Sequence, residues 1–195
     1  MAIAPKKKWT VEEYLEFERS NEGRHEFLDG EVFAMAGATS RHGLICGSIY
    51  SSLFTQTEDR NCFVYQSDMR VKVSASGLYT YPDIVALRGE QQFEDAVQDS
   101  VLNPSTIIEV LSPSTERYDR GKKFQYYQSV KSLQEYLLVS QDSPRLELYS
   151  RHTGGRWIYS DFVEMNASLE LPSIGCTLSL ANVYRKVSFG SDVAE

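Results

Sequence analysis

Two carboxylates stand where carboxylates are costly. Asp83 follows Tyr81-Pro82 and opens the apolar run Ile84-Val85-Ala86-Leu87, and Glu109 lies inside Ile107-Ile108-Glu109-Val110-Leu111. Strand alternation puts Glu109 on one face with Ile107 and Leu111, so its charge needs a partner. Read blandly, Asp83 is a post-proline strand-start residue. Glu109 is then an edge-strand charge facing solvent, or half of a buried ion pair with an arginine. Taken together, in two strands of one sheet, the pair suits Mg²⁺, which takes one or two carboxylates plus waters and phosphate oxygens. Just downstream, Arg117, Arg120, Lys122 and Lys123 outnumber Glu116 and Asp119. A solvated helix start would explain them, although cations there oppose the helix dipole by a few tenths of a kcal/mol. The alternative is a local positive patch beside a metal site.

Composition narrows the classes. The chain has 195 residues, 42% hydrophobic and 24% charged, which excludes extended disorder and a fibrous repeat. A core of this size needs no disulfide or metal staple. No apolar run reaches the ~20 residues of a spanning helix, and Met1 to Lys8 lacks the apolar stretch of a secretory signal. No membrane association is expected. Cys46, Cys62 and Cys176 read as reduced thiols in cytoplasm. The net charge of −7 argues against sequence-independent coating of nucleic acid, though not against a locally basic site. Only three histidines occur, His25, His42 and His152, and none is expected to pair with another or with a cysteine at ligand spacing. A structural zinc site is therefore not expected, and any metal should be a hard ion on carboxylate oxygens.

The elements that must hold these residues follow from pattern. Thr10-Val11-Glu12-Glu13 is a capping box opening a helix to about Arg19. Asp29-Gly30 between His25–Leu28 and Glu31–Ala34 signals a hairpin. Ile45, Ile49 and Leu53 recur at helical spacing in a second helix, about Ser40 to Thr57. Two alternating strands are expected over Phe63–Val73 and Tyr79–Leu87, joined by Ser74-Ala75-Ser76-Gly77. Residues 88–103 read as a polar surface loop. A short apolar strand, Thr106–Leu111, precedes a helix of about Tyr118–Val130 and a strand over Glu135–Ser140. Arg145–Ser150 and Trp157–Phe162 form a hairpin, Leu171-Pro172 and Thr177–Leu180 late edge strands. Short connections make the first strands antiparallel, whereas the crossover helix makes the last pairing parallel. One α/β domain with a mixed sheet is expected over residues 1–195, with 1–8 and 188–195 flexible.

These residues resemble a family. The order helix-β-β-β-helix-β, with Pro82-Asp83 on one strand and Glu109 on the next, resembles the PD-(D/E)XK nuclease superfamily. More closely, the chain is similar to the Uma-type restriction endonuclease family. The resemblance runs through Thr10–Leu15, Glu26–Val32, His42, Pro82-Asp83-Ile84-Val85 and Ile108-Glu109-Val110-Leu111-Ser112-Pro113-Ser114-Thr115. It continues in Asp119-Arg120-Gly121-Lys122-Lys123, Glu135–Val139 and Leu171-Pro172. It implies a restriction-endonuclease-like mixed sheet with an added N-terminal helix and hairpin and a C-terminal β-hairpin.

It also implies metal-dependent hydrolysis of phosphodiester bonds in DNA, with Mg²⁺ as cofactor and Mn²⁺ as a substitute. Asp83, Glu109 and the carbonyl of Val110 would be the metal ligands. Superfamily members carry a lysine two residues after the glutamate, a position occupied here by Leu111. The resemblance moves the catalytic lysine onto the following helix, to Lys123, with Lys122 as the neighbouring alternative. Arg117, Arg120 and Lys122 would bind phosphates, with Glu26 and His42 at the site rim. A homodimer would suit double-strand cutting. The competing reading is a catalytically silent nuclease fold serving binding or assembly. A two-carboxylate glycosidase fits less well, since the adjoining Arg/Lys cluster would serve nothing there.

Overall fold

The computed structural model describes residues 8–35 and 37–189. The Thr10 hydroxyl accepts from the Glu13 N–H (3.2 Å) and the Glu13 carboxylate accepts from the Thr10 N–H (2.9 Å). This reciprocal cap starts α1 (Val11–Ser20). Then β1 (His25–Leu28) and β2 (Glu31–Ala34) close across Asp29 and Gly30, whose φ values of 52° and 80° suit a tight hairpin turn. α2 (Ser40–Thr57) matches the expected helix.

The strands after α2 are more broken than their patterns suggest. They are β3 (Cys62–Gln66), β4 (Arg70–Val73), β5 (Leu78–Thr80), β6 (Ile84–Arg88), β7 (Ser100–Val101) and β8 (Thr106–Val110). A turn at residues 67–69 splits the first expected long strand, and residues 81–83 split the second. The halves then part company: β3 and β6 join one sheet, β4 and β5 another. Alternation alone could not show this, because each half alternates correctly for its own sheet.

A helical segment follows in three parts: α3 (Glu116–Tyr118), a π-helical turn (Asp119–Lys123) and α4 (Phe124–Tyr127). The chain ends in β9 (Glu135–Val139), β10 (Leu146–Arg151), β11 (Trp157–Phe162), β12 (Ser168–Leu171), β13 (Cys176–Ser179) and α5 (Leu180–Val183).

The main sheet has the order β11-β10-β9-β8-β6-β3. β3, β6 and β8 pair antiparallel although β4, β5 and β7 lie in the links between them, and β8 pairs β9 in parallel across the helical crossover. Helices cover both faces. Ile45, Ile49 and Leu53 of α2 pack on Val64, Ile84, Ala86, Ile108 and Val110. Burial of each such side chain contributes about 2 kcal/mol. Phe124 and Tyr127 of α4 pack on Val85, Leu87, Ile107, Tyr136 and Leu138. The sheet is thus apolar on both sides, and β8 is fully buried.

The second sheet, β2-β1-β5-β4-β7, carries α1 against Phe27 and Tyr79. Its edge corrects the expected surface loop at 88–103, where Ser100 and Val101 are buried in β7. The anchor is Arg70, 2% exposed, which meets Asp99 at 2.7 Å and lies over the rings of Tyr14 and Tyr81. β12 and β13 are not edges of the main sheet but a separate ribbon that packs Leu169, Leu171 and Leu178 toward α2. Of the ends expected to be flexible, 1–7 and 190–195 lie outside the described residues. Phe189 is placed, with its ring 5.3 Å from that of Tyr184.

Partial burial pushes the Asp99 carboxyl up, but the guanidiniums of Arg19 and Arg70 outweigh it and hold it well below the usual carboxylate range. Its stabilisation is therefore full above about pH 4 and lost as pH falls. Arg70→Ala should lower the unfolding free energy by about 3 kcal/mol in urea titrations. The variant should also lose stability less steeply than the parent as the solution is acidified below about pH 5.

Candidate active site

The register of β6 on β8 brings the two carboxylates together. Ile84 pairs with Ile108, so the next step along both strands sets Asp83 opposite Glu109. The Val110 N–H donates to Asp83 Oδ2 at 2.7 Å, fixing the aspartate at the strand entrance. β8 lies between β6 and β9, so Glu109 is on a central strand and the edge-charge reading is overturned. Its side chain is only 5% exposed and its partner is a lysine, not an arginine.

That partner is Lys123. Its Nζ lies 3.0 Å from Glu109 Oε1, 3.1 Å from Glu26 Oε1 and 3.5 Å from Asp119 Oδ1. The Tyr127 hydroxyl donates to the same Glu109 oxygen at 3.1 Å. Asp119, Lys123 and Tyr127 recur at intervals of four, so one helical face points all three at the sheet. The π-helical turn spans the first two, and the Tyr136 hydroxyl donates to the Asp119 carbonyl within it (3.0 Å). Such turns are frequent at functional sites. Glu26 arrives from the other sheet, where the Thr80 hydroxyl also donates to it. The cluster therefore sits where the two sheets meet.

Lys122, one residue away, is exposed, as is Arg117. Arg120 is held by Glu116 at 2.7 Å and by Glu147 of β10 at 2.5 Å. Of the three residues expected to bind phosphate, Arg120 is thus already bound to two carboxylates, while Arg117 and Lys122 lie outside the buried cluster.

α2 closes the remaining side. Thr39 caps it, accepting from the His42 N–H at 3.1 Å. The Thr39 hydroxyl donates to Gln141 Oε1 at 2.8 Å, and the Gln141 amide reaches the Leu111 carbonyl. This bridge ties the start of α2 to the end of β8 and aims His42 at the site. His42 Nε2 lies 3.2 Å from Asp83 Oδ1, and Cys46 Sγ lies 3.5 Å from His42 Nδ1. The expectation that no histidine stands at ligand spacing from a cysteine is therefore overturned. His42 and Cys46 are one helical turn apart, a spacing of four visible in the sequence once residues 40–57 are read as helix.

The charges explain one another. Four carboxylates, Glu26, Asp83, Glu109 and Asp119, converge on one ammonium and one imidazole. Burial pushes the Glu109 carboxyl up, and Asp119 and Asp83 add to that shift, while Lys123 opposes it. Burial alone would lower the Lys123 ammonium, yet Glu109 and the other acidic neighbours outweigh it and hold the group charged. Burial likewise pushes the His42 imidazole down, but the hydrogen bond and charge of Asp83 leave it raised. Asp119 Oδ1 is buried without a hydrogen bond. Four converging carboxylates, all hard oxygen donors, fit a divalent cation such as Mg²⁺ or Mn²⁺. Asp83 and Glu109 would hold it.

Comparison with known proteins agrees with this architecture. A solved chain described as "a putative nuclease belonging to DUF820" from Anabaena variabilis superimposes with a TM-score of 0.72. It covers 90% of this chain and 97% of its own at 18% identity, and defines the restriction-endonuclease-like fold. The Uma2 family model, described as "Putative restriction endonuclease", matches residues 11–182. Two proteins of Synechocystis sp. are also similar. "Uncharacterized protein slr1290" is 34% identical over 95% of this chain and 96% of its own length. "Uncharacterized protein sll1609" is 35% identical over 87% and 96%. The chain belongs to the Uma2 family. No helix among the described residues is long and apolar enough to cross a membrane.

Lys123→Ala removes the cation that Glu26, Glu109 and Asp119 share. It should destabilise the metal-free protein by about 3 kcal/mol near pH 7.5. Without the ammonium the raised Glu109 and Asp119 carboxyls titrate still higher, so stability is retained at low pH and lost as pH rises through them. Urea unfolding should therefore show a smaller penalty near pH 5 than near pH 7.5. Lys122→Ala should change stability by under about 0.5 kcal/mol at either pH.

Proposed function

We propose that this chain is a metal-dependent endonuclease that hydrolyses phosphodiester bonds in DNA. The observation that carries this reading is the convergence of Asp83, Glu109 and Lys123 at the β6–β8 entrance, on a fold shared with nucleases. Family membership supports nuclease chemistry over other uses of the cluster.

In this reading Asp83 and Glu109 would hold the ion, with the Val110 carbonyl as a further ligand. A divalent ion in that position supplies Lewis-acid activation of water and neutralises charge at the phosphate. The Lys123 ammonium, 3.0 Å from Glu109, is placed to meet the incoming phosphate. Lys123 then orients the attacking water and stabilises charge on the phosphate oxygens. In the metal-free protein the surrounding carboxylates keep its ammonium charged, which suits an electrostatic role. The exposed Arg117 and Lys122 grip flanking phosphates. A homodimer would present two such centres to opposite strands.

Purified protein should cleave DNA with Mg²⁺ or Mn²⁺ and stop on addition of EDTA, tested on plasmid, linear and single-stranded DNA with RNA as control. Lys123→Ala should reduce turnover by ~10²-fold or more, whereas Lys122→Ala should change it little. Asp83→Asn and Glu109→Gln should each weaken Mn²⁺ binding in calorimetry while circular dichroism shows an intact fold. Unchanged affinity in both variants removes the metal assignment. Absence of cleavage with every metal and substrate would favour the silent binding module.

A further inference from the structure

Asp83 has two sets of neighbours, and the Glu109 set explains only one of them. On the α2 side, His42 Nε2 lies 3.2 Å from Asp83 Oδ1 and Cys46 Sγ lies 3.5 Å from Nδ1 of the same ring. One ligand atom from each of the three residues lies within 4.8 Å of the other two. Around a tetrahedral ion with bonds of about 2.0–2.3 Å, neighbouring ligand atoms are about 3.3–3.8 Å apart. One imidazole nitrogen can face one ion, so closing the set takes reorientation of the Cys46 or His42 side chain together with an approach of about 1 Å. The i, i+4 placement of His42 and Cys46 is the spacing by which a helix presents two ligands on one face. Thr39 and Gln141 hold that helix end in place, so the pair is positioned before any ion arrives.

We infer that His42, Cys46 and Asp83 form a binding site for a thiophilic divalent ion of the Zn²⁺ class. The three residues offer one nitrogen, one sulfur and one carboxylate oxygen. That mixture suits Zn²⁺, Cd²⁺ or Co²⁺ and is a poor match for Mg²⁺, which prefers oxygen throughout. On binding, the Cys46 S–H bond breaks, its proton passes to solvent, and the thiolate sulfur bonds the ion. Three protein ligands leave a coordination position open, as in zinc sites that bind water or substrate. The site shares Asp83 with the proposed hard-ion site but does not require nuclease activity. An ion held here draws Asp83 toward α2, so Zn²⁺ should compete with Mg²⁺ for the aspartate.

Cd²⁺ titration of the full chain, followed by the thiolate-to-metal charge-transfer band in the ultraviolet, tests this directly. The parent and the Cys62→Ser/Cys176→Ser double variant should both develop the band at one ion per chain. Cys46→Ser should abolish it, and His42→Ala and Asp83→Asn should weaken Cd²⁺ affinity tenfold or more. If Cys46→Ser fails to fold, Cd²⁺ should still protect Cys46 of the unmodified chain from alkylation, read by mass spectrometry. A band that survives Cys46→Ser, or the absence of both band and protection in the parent, overturns the site. Glu109→Gln separates the two readings, since it should abolish cleavage while leaving the Cd²⁺ band intact. A Cd²⁺ band in a protein that cleaves nothing would leave this site standing and end the nuclease proposal.

Discussion

One ammonium holds this site together. Lys123 lies within 3.5 Å of Glu26, Glu109 and Asp119, and each carboxylate comes from a different part of the fold. A lone carboxylate inside a sheet such as β8 would cost several kcal/mol, and three around one buried point would cost more without a cation. The arrangement is therefore a constraint on folding as well as a chemical site. β1 must deliver Glu26, β8 must deliver Glu109, and the π-helical turn must deliver Lys123 and Asp119 together.

The surrounding structure serves that placement. Helices on both faces leave the main sheet dry, which strengthens every charge interaction at its end. Two polar bridges then fix the approaches. Gln141 ties the start of α2 to the end of β8 and so places His42 beside Asp83. Tyr136, from β9, meets the Asp119 carbonyl and so secures the turn that carries Lys123. The less buried members, Glu26, Asp83 and His42, form the rim by which an ion or substrate would enter.

Much of this was legible in the sequence. Glu109 inside an apolar strand announced a buried carboxylate, and α2 and the first hairpin followed from periodicity and turn chemistry. A step of about 100° shows only that Lys122 and Lys123 face apart; which of them turns inward is decided by the packing that buries Lys123 against Glu109. The splitting of the two middle strands was not legible, because each fragment alternates correctly whichever sheet it joins. Asp119 looked like one more charge on a solvated helix, and nothing local signals that its face turns toward Glu109. Cys46 carries no local signal, because its spacing from His42 matters only on a helix with that face turned inward. The residue pattern thus shows which groups are out of place, while long-range packing decides which of them meet.

The claim on which the rest depends is that Lys123 stays charged because the carboxylates around it require it. Lysine labelled with ¹³C at Cε allows its titration to be followed by NMR in the metal-free protein. The account predicts a Lys123 resonance still in its ammonium form after the exposed lysines have titrated near pH ~10.4, and a lower pKa in Glu109→Gln. A Lys123 that titrates with the exposed lysines, or is neutral near pH ~7, would contradict it.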